Sequence, residues 1–218
     1  MSAESGISTF RDSNGLWENH AIEDVATYEA FKRDRELVLD FYNARRKQLF
    51  EVEPNKGHEL IAKLEEEYQV SVVTQNVDDL HERAGSKNLI HMHGELLKMR
   101  CIQCHQVRSV SGALTVESVC GDCQRTGTLR PDIVWFGEMP YGMDGIEMAL
   151  SEADIFAAIG TSGNVYPAAG FVQMAKSCGA HTIELNLEPS ATASQFAETR
   201  FGTASETVPI RVDHILKG

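Results

Sequence analysis

Along this chain an apolar, β-rich run repeatedly breaks off into a polar or glycine-bearing loop. Val70, Val72 and Val73 end in Thr74-Gln75-Asn76-Val77-Asp78, and a short helical piece, Asp79 to Ala84, follows and stops at Gly85. Asp154 to Ile159 (DIFAAI) runs into Gly160-Thr161-Ser162-Gly163-Asn164. There Pro167 starts a helix that Gly179 ends near Cys178. His181 to Leu185 (HTIEL) exits at Asn186-Leu187-Glu188-Pro189. A further apolar run, Asn88 to Met92, delivers His93-Gly94, and Met143 to Glu152 is helical. Strand, loop, helix in repeated order is the signature of an α/β fold with a doubly wound parallel sheet. Such sheets gather ligand groups on the loops leaving the carboxyl ends of their strands. Gln75, Asn76, Asp78 and His93 are therefore candidates for one crevice. Turn-forming Asn and Asp beside a packed histidine explain the first stretch equally well. Glycine and small hydroxyl residues at the exits let backbone N–H groups approach a phosphate or ribose, and three such loops in register point to a nucleotide.

The N-terminal half reads differently. Ala3 to Trp17 is rich in Gly, Ser and Asp without a period and reads as a long loop. From Asp24 to Gln69 the pattern is helical, with segments over Glu23–Lys32, Asp34–Phe50 and His58–Tyr68. Leu60, Ile61 and Leu64 mark the third segment's buried stripe, and Pro54 and Gly57 precede it. Tyr42 and Arg45 stand three apart on the second segment and so project from one side, where Arg46 and Lys47 make a solvated basic face the plain reading.

Cys101, Cys104, Cys120 and Cys123 form C-x2-C, fifteen intervening residues, then C-x2-C. Two knuckles at that separation supply four thiolates for a tetrahedral, closed zinc site, and with every position protein-filled the zinc is structural. Cys178 stands apart as a small helical residue. Thr128 to Glu138 looks extended, with Pro131 demoting part of it to an edge that either packs in a sheet or accepts a peptide as an added strand. The 218 residues carry a net charge of −12 with 42% hydrophobic and 24% charged content, ordinary for a soluble globular protein. That balance argues against nucleic acid. No apolar run is long enough to span a membrane, and MSAESGISTF lacks the marks of a signal peptide, so the cytoplasm is the expected location.

The stretches SAESGISTFR, TQNVD, HMHG, the four cysteines, LRPDIVWFGE, GTSGNVYPAAG and ELNLEP together resemble the sirtuin family of NAD-dependent protein-lysine deacylases, most closely bacterial ones. The resemblance covers essentially the whole chain. It implies a Rossmann-like NAD-binding domain over residues 1–23, 68–97 and 128–218, and a small domain with a helical part, 24–67, and a zinc-ribbon part, 98–127. NAD and an acylated lysine would enter the cleft between them from opposite sides. The family reaction yields free lysine, nicotinamide and O-acyl-ADP-ribose. His93 matches the catalytic histidine, a general base toward a ribose hydroxyl, whereas His91 matches supporting structure. Gln75, Asn76 and Asp78 match residues around the ribose and nicotinamide. Ala3, Phe10 and Arg11 match the cofactor-binding N-terminal segment, with Phe10 shielding the reacting centre. Gly160, Thr161, Ser162, Asn186, Leu187 and Glu188 match phosphate and adenosine contacts, and Ala204 a small residue near the adenine. Val134, Trp135, Phe136, Gly137 and Glu138 match the strand that grips the substrate backbone. Tyr42-Asn43-Ala44-Arg45 is similar to the Tyr-x-x-Arg signature of family members that remove succinyl and malonyl groups. There an Arg fork and a Tyr hydroxyl would receive the acyl carboxylate.

Family members carry a strand and a Gly-Ala-Gly turn just before the segment matching Met1 to Ile7, and the resemblance reads this chain as lacking both. The expected function is deacylation of acetyl-lysine, and of succinyl- and malonyl-lysine through Tyr42 and Arg45, by a monomer with one structural zinc and NAD as co-substrate. The alternative is a shortened inactive module that binds acyl-lysine peptide without turnover. A zinc-ribbon nucleic-acid binder would instead use Lys98, Arg100, Arg108, Arg125 and Arg130.

Overall fold

The computed structural model describes residues 1–7, 16–17 and 20–217. A 3₁₀ turn at Ser2–Ser5 precedes an antiparallel hairpin of β1 (Leu16–Trp17) and β2 (His20–Ala21). Four helices follow: α1 (Ile22–Val25), α2 (Tyr28–Arg33), α3 (Arg35–Leu49) and α4 (Lys56–Leu64). The single helix expected over Glu23–Lys32 is broken at Ala26–Thr27. Thr27 is extended and its side chain accepts from Ala30 N at 3.0 Å, restarting the helix. Asp34 caps α3 at Leu37 N, 3.0 Å, and Asn55 and His58 form a reciprocal capping box that starts α4 before His58.

Next come β3 (Val72–Thr74), α5 (Leu80–Ala84), β4 (Leu89–His91), β5 (Gly94–Cys101), β6 (Val107–Ser109) and β7 (Leu129–Ile133). The chain finishes with α6 (Met143–Glu152), β8 (Ile155–Ile159), α7 (Phe171–Ser177), β9 (His181–Asn186), β10 (Glu198–Phe201) and α8 (Ala204–Lys217). β3 pairs parallel with β4, and β8, β9 and β10 form a parallel sheet in the order β10-β9-β8. β6, β5 and β7 make an antiparallel sheet in which β7, the strand with Pro131, lies at an edge as expected for that residue. Among the described residues no helix is long and apolar enough to cross a membrane.

Three apolar cores hold these layers. Phe31, Val38, Leu39 and Tyr42 pack with Leu96, Leu129, Ile133 and Trp135, joining α2 and α3 to β5 and β7. Ile183 and Leu185 of β9 pack with Val208 and Val212 of α8 and Ile61 of α4. Thus α4, grouped with the small lobe in the sequence reading, is buried against the parallel sheet. Met92, Ile146, Leu150, Phe171 and Ala175 form the third core, under α6 and α7. Glu4 closes the second core: its carboxylate accepts from Ala204 N at 2.7 Å, Ser205 N at 2.8 Å and the Ser205 hydroxyl, satisfying the start of α8.

The ribbon and α3 are one mechanical unit. The Cys101–Cys123 and Cys104–Cys120 sulfurs are each 3.7 Å apart, and all four lie within 4.8 Å of one another. A tetrahedron with Zn–S bonds of about 2.3 Å has edges of about 3.8 Å, so the thiol set fits zinc with no position left open. Arg35 Nη1 donates to Gly127 O (2.6 Å), and Asn43 exchanges bonds with Leu114 N and O (2.9 and 2.7 Å). Arg46 donates to Leu96 O and Gly112 O at 3.0 and 3.2 Å. Arg46 is therefore buried, at 2% exposure, and does not belong to a solvated basic face. Carbonyl acceptors on two other elements draw it inward.

Two outcomes follow from this architecture. Gly94 has φ 84°, and a Cβ there would lie 2.0 Å from the Asp132 carbonyl oxygen across the β5–β7 pair. Gly94→Ala is expected to cost ~3 kcal/mol or more in urea denaturation, against ~1 kcal/mol for Gly179→Ala, which has a similar φ. Gly179 has nothing within 4 Å of its Cβ position, so equal costs would remove the steric argument. Stripping the metal with a chelator is expected to abolish hydrogen-exchange protection across residues 101–128 and weaken it in α3, while β9 keeps its protection. Unchanged protection in the ribbon would show that the cysteines do not need a metal.

Candidate active site

The turn after β3 and the turn after β4 are locked together. Met92 N donates to Thr74 O (3.1 Å), and His93 Nδ1 lies 3.1 Å from the Gln75 carbonyl oxygen. A carbonyl can only accept, so Nδ1 carries the proton and Nε2 keeps its lone pair. The His93 carbonyl in turn accepts from Val134 N at 2.9 Å, pinning the residue from the other side. Burial pushes the imidazole below the ordinary histidine range, with the Gln75 carbonyl opposing it. His93 is thus a neutral base at neutral pH.

The other strand exits join this turn through Thr161. Gln75 Nε2 donates to Thr161 Oγ1 (3.1 Å), and Asn186 Nδ2 donates to Thr161 O (2.7 Å). The exits of β3, β8 and β9 converge, as their sequence pattern predicts. Gly160 and Gly163 sit at φ 63° and 69°, and side chains there would meet Met1 N at 2.9 Å and Thr192 Oγ1 at 2.7 Å. Ser162 lies between them and accepts from Asn164 N at 3.3 Å. Leu187 and Glu188 are exposed just past Asn186.

Ser2 was not legible as a site residue, yet it is buried at the centre of the crevice. Asn76 Nδ2 donates to its hydroxyl (2.6 Å), which also bonds Asp78. Burial raises Asp78, while Ser2 and the Leu80 N–H partly hold it down. Ala3 is exposed on the same 3₁₀ turn, and Ala204 is buried at the start of α8. Phe10 and Arg11 lie outside the described residues.

His91 turns away from this group. Its Nε2 lies 2.6 Å from Glu82 Oε1; burial opposes protonation, but that carboxylate lifts His91 above the ordinary range. Beneath α5, His58 and His81 stack edge to face at 4.9 Å. Burial pushes them down to about 3 and about 4. The one signal for His58 was its place three residues after the Asn55 cap.

Across the crevice, Arg45 lines a cleft of about 30 Å³ with Ile7, Gln48, Leu49, Val77, Asp78 and Leu96. It therefore lies beside the loop that carries Asn76 and Asp78. Tyr42 is buried, and its Oη accepts from Trp135 Nε1 at 2.9 Å. The segment Val134–Glu138, which the resemblance matches to a strand, lies past the end of β7 at Ile133 and keeps a single parallel bridge, Phe136 to Thr27, before it turns. Gly137 takes φ 88°, Glu138 N donates to Trp135 O, and the Glu138 carboxylate accepts from Trp135 N (2.8 Å), closing a turn. Phe136 N is held by Ala26 O at 3.0 Å, leaving its side chain half exposed. The five ribbon-side cations are engaged within the protein. Lys98 pairs with Glu95, Arg100 with Asp132, Arg108 with Asp122 and Arg130 with Glu138, and Arg125 bonds Gln103.

A sequence profile described as the Sir2 family matches residues 1–167. The chain is 60% identical to an Escherichia coli K12 protein named NAD-dependent protein deacylase, over all of this chain and 80% of that one. It is 58% identical to a protein of the same name from Vibrio vulnificus, over 99% of this chain and 90% of the relative. Among solved structures, a Sir2 homologue–NAD complex superposes with a TM-score of 0.90 at 38% identity, covering 99% of this chain and 86% of that one. A Sir2 homologue mutant bound to ADP-ribose gives 0.92, also at 38% identity, covering 99% of this chain and 88% of the other. Matched by that profile over three quarters of its length and 60% identical along all of it to a named deacylase, this protein belongs to the Sir2 family.

Proposed function

We propose that this chain removes acyl groups from protein lysines with NAD as co-substrate, giving nicotinamide and O-acyl-ADP-ribose. The observation that carries the reading is His93: an imidazole held at both ends of its turn, neutral, with its Nε2 lone pair available. The donor set around it suits a dinucleotide. Amides at Gln75, Asn76 and Asn186, hydroxyls at Thr161 and Ser162, and glycines at 160 and 163 match ribose hydroxyls and phosphate oxygens in kind. The 60% identity over the whole chain to proteins named as enzymes speaks against a binding module without turnover. Four thiols suited to zinc favour a reducing location such as the cytoplasm, and we read the protein as acting as a monomer.

NAD supplies the electrophilic ribose carbon and nicotinamide as its leaving group. The chain's own residues do the rest. His93 Nε2 takes the proton from a ribose hydroxyl presented to it, and its Nδ1–H stays on the Gln75 carbonyl, so the imidazolium formed keeps its orientation. Ser2 ties Asn76 to Asp78, holding the loop that would bind the ribose. Glu4 holds the Ser2 turn against α8. Gly160, Thr161, Ser162, Asn186, Leu187, Glu188 and Ala204 would carry the phosphates and adenosine. The peptide would lie along Val134–Glu138, using backbone groups that the turn does not consume. Ala3, Phe10 and Arg11 complete the cofactor side in this reading.

Tyr42 and Arg45 extend the substrate class to succinyl- and malonyl-lysine. A carboxylate at the end of an acyl chain needs a charged, hydrogen-bonding partner inside an apolar channel, and Arg45 lines a cleft whose other walls are Ile7, Leu49, Val77 and Leu96 with Gln48 and Asp78. Arg45→Met is expected to lower kcat/KM for succinyl-lysine peptide about 100-fold more than for acetyl-lysine peptide. Equal loss with both peptides would assign Arg45 to the fold. For His93, the depressed pKa means that the neutral base persists below pH 6.5, and activity falls only as the imidazole charges. The acid limb of kcat/KM against pH is therefore expected below 6.5, and His93→Ala should remove ~10²–10⁴ of the rate. An acid limb at or above 6.5 would contradict the base assignment.

A further inference from the structure

Leu187 and Glu188, to which the reading above gives part of the adenosine contact, lie on an exposed loop without helix or strand, so some group must hold that loop in place. We propose that Glu184, inside β9, is that group: a positioning residue that ties down the loop after β9 and orients Asn186 for the dinucleotide. The inference deepens the cofactor reading and rests on it.

Side chains along β9 alternate. Ile183 and Leu185 pack with α8, while Thr182, Glu184 and Asn186 share the other face and are buried as well, Glu184 with 0% exposure. A carboxyl group is a costly choice for the middle of a buried strand. Its Oε2 is buried without a hydrogen-bond partner among the described residues. Oε1 takes both of its bonds, from Ser190 N at 3.1 Å and from Asn186 Nδ2 at 3.4 Å. A valine would serve the strand equally well; it would not serve the loop.

The two bonds act on the two ends of the exposed turn Leu187-Glu188-Pro189. Asn186 Oδ1 accepts from Leu187 N at 3.1 Å at the near end, and Glu184 accepts from Ser190 N at the far end. Asn186 Nδ2 is shared between Thr161 O, at 2.7 Å, and the Glu184 carboxyl. Turning the amide over would set its oxygen against two acceptors, so Glu184 helps decide which way Asn186 faces. Beyond Ser190 the chain reaches the glycine turn after β8. Ala191 N donates to Ser162 O at 3.0 Å, and Thr192 fills the space that a side chain on Gly163 would need. One carboxyl group thus couples the loop after β9 to the loop after β8, the pair that would hold adenosine and phosphates.

The test is Glu184→Leu and Glu184→Gln in the full chain, read as the calorimetric Kd for ADP-ribose and as kcat, KM for NAD and KM for an acetyl-lysine peptide. Leucine keeps much of the bulk and removes the acceptor. It is expected to raise the ADP-ribose Kd and KM for NAD about tenfold, with kcat and the peptide KM within about twofold of the parent. Glutamine keeps a neutral acceptor, so the same two constants should rise about threefold. Hydrogen exchange at the Ser190 N–H should quicken in Glu184→Leu while Ile183 and Leu185 keep their protection. Losses spread equally over kcat and both KM values would make Glu184 a part of the fold alone and overturn the proposal. Should Glu184→Leu not fold, Glu184→Gln decides by the same split, and parental constants in it would overturn the proposal. A parent that binds no ADP-ribose would bring down the cofactor reading itself. A parent that binds it no more tightly than the variants would bring down only the Glu184 inference.

Discussion

The bond between His93 Nδ1 and the Gln75 carbonyl is the interaction on which the crevice depends. It joins the turn after one parallel strand to the turn after its neighbour and decides which imidazole nitrogen is basic. That geometry needs Gly94 next in the chain, because β7 passes too close for any side chain there. It also needs Val134 to take up the His93 carbonyl, which brings the proposed peptide segment against the base. From Gln75 the network runs through Thr161 to Asn186, so four separate loops share one register. A polar network of this kind holds a unique arrangement only while every member is satisfied.

The facing lobe follows a different rule. Its polar side chains spend their bonds on tying elements together: Arg35, Asn43 and Arg46 fasten α3 to the cysteine ribbon, and Arg130 and Glu138 fasten the turn after β7. Arg46 lacks a carboxylate partner among its bonds and is stabilised by carbonyl and amide oxygens. Arg35, Asn43 and Arg46 lie on α3, the helix that also carries Tyr42 and Arg45. The proposed acyl-reading residues are thus carried on the helix that these bonds fasten to the cysteine ribbon.

Much of this was legible in the sequence wherever local pattern and function coincide. The valine run into Gln75-Asn76, the glycines at 160 and 163, and the cysteine spacing each state a backbone or ligand requirement directly. Several elements were not legible, β5, α8 and β10 among them. β5 reads Gly-Glu-Leu-Leu-Lys-Met-Arg-Cys, with adjacent leucines in place of alternation, and exists as a strand through its pairing with β6 and β7. α8 carries Pro209 in its interior, which local rules count against a helix; packing on α4 and the Glu4 cap override it. β10 is short and largely exposed, and its parallel pairing to β9 defines it. The bond between Trp135 and Tyr42 spans 93 residues, and no spacing rule reaches across that separation. Ser2 and Arg46 were missed for the same reason: their partners are distant in sequence.

The claim that His93 is a neutral base with its lone pair on Nε2 can be read directly from nitrogen-15 NMR of the histidine side chains near neutral pH, assigned by loss of one signal set in His93→Asn. The expected spectrum shows an Nδ1-protonated, neutral ring at that position, its Nε2 resonance typical of an unprotonated nitrogen. A ring protonated on Nε2 alone, or on both nitrogens, would contradict the account.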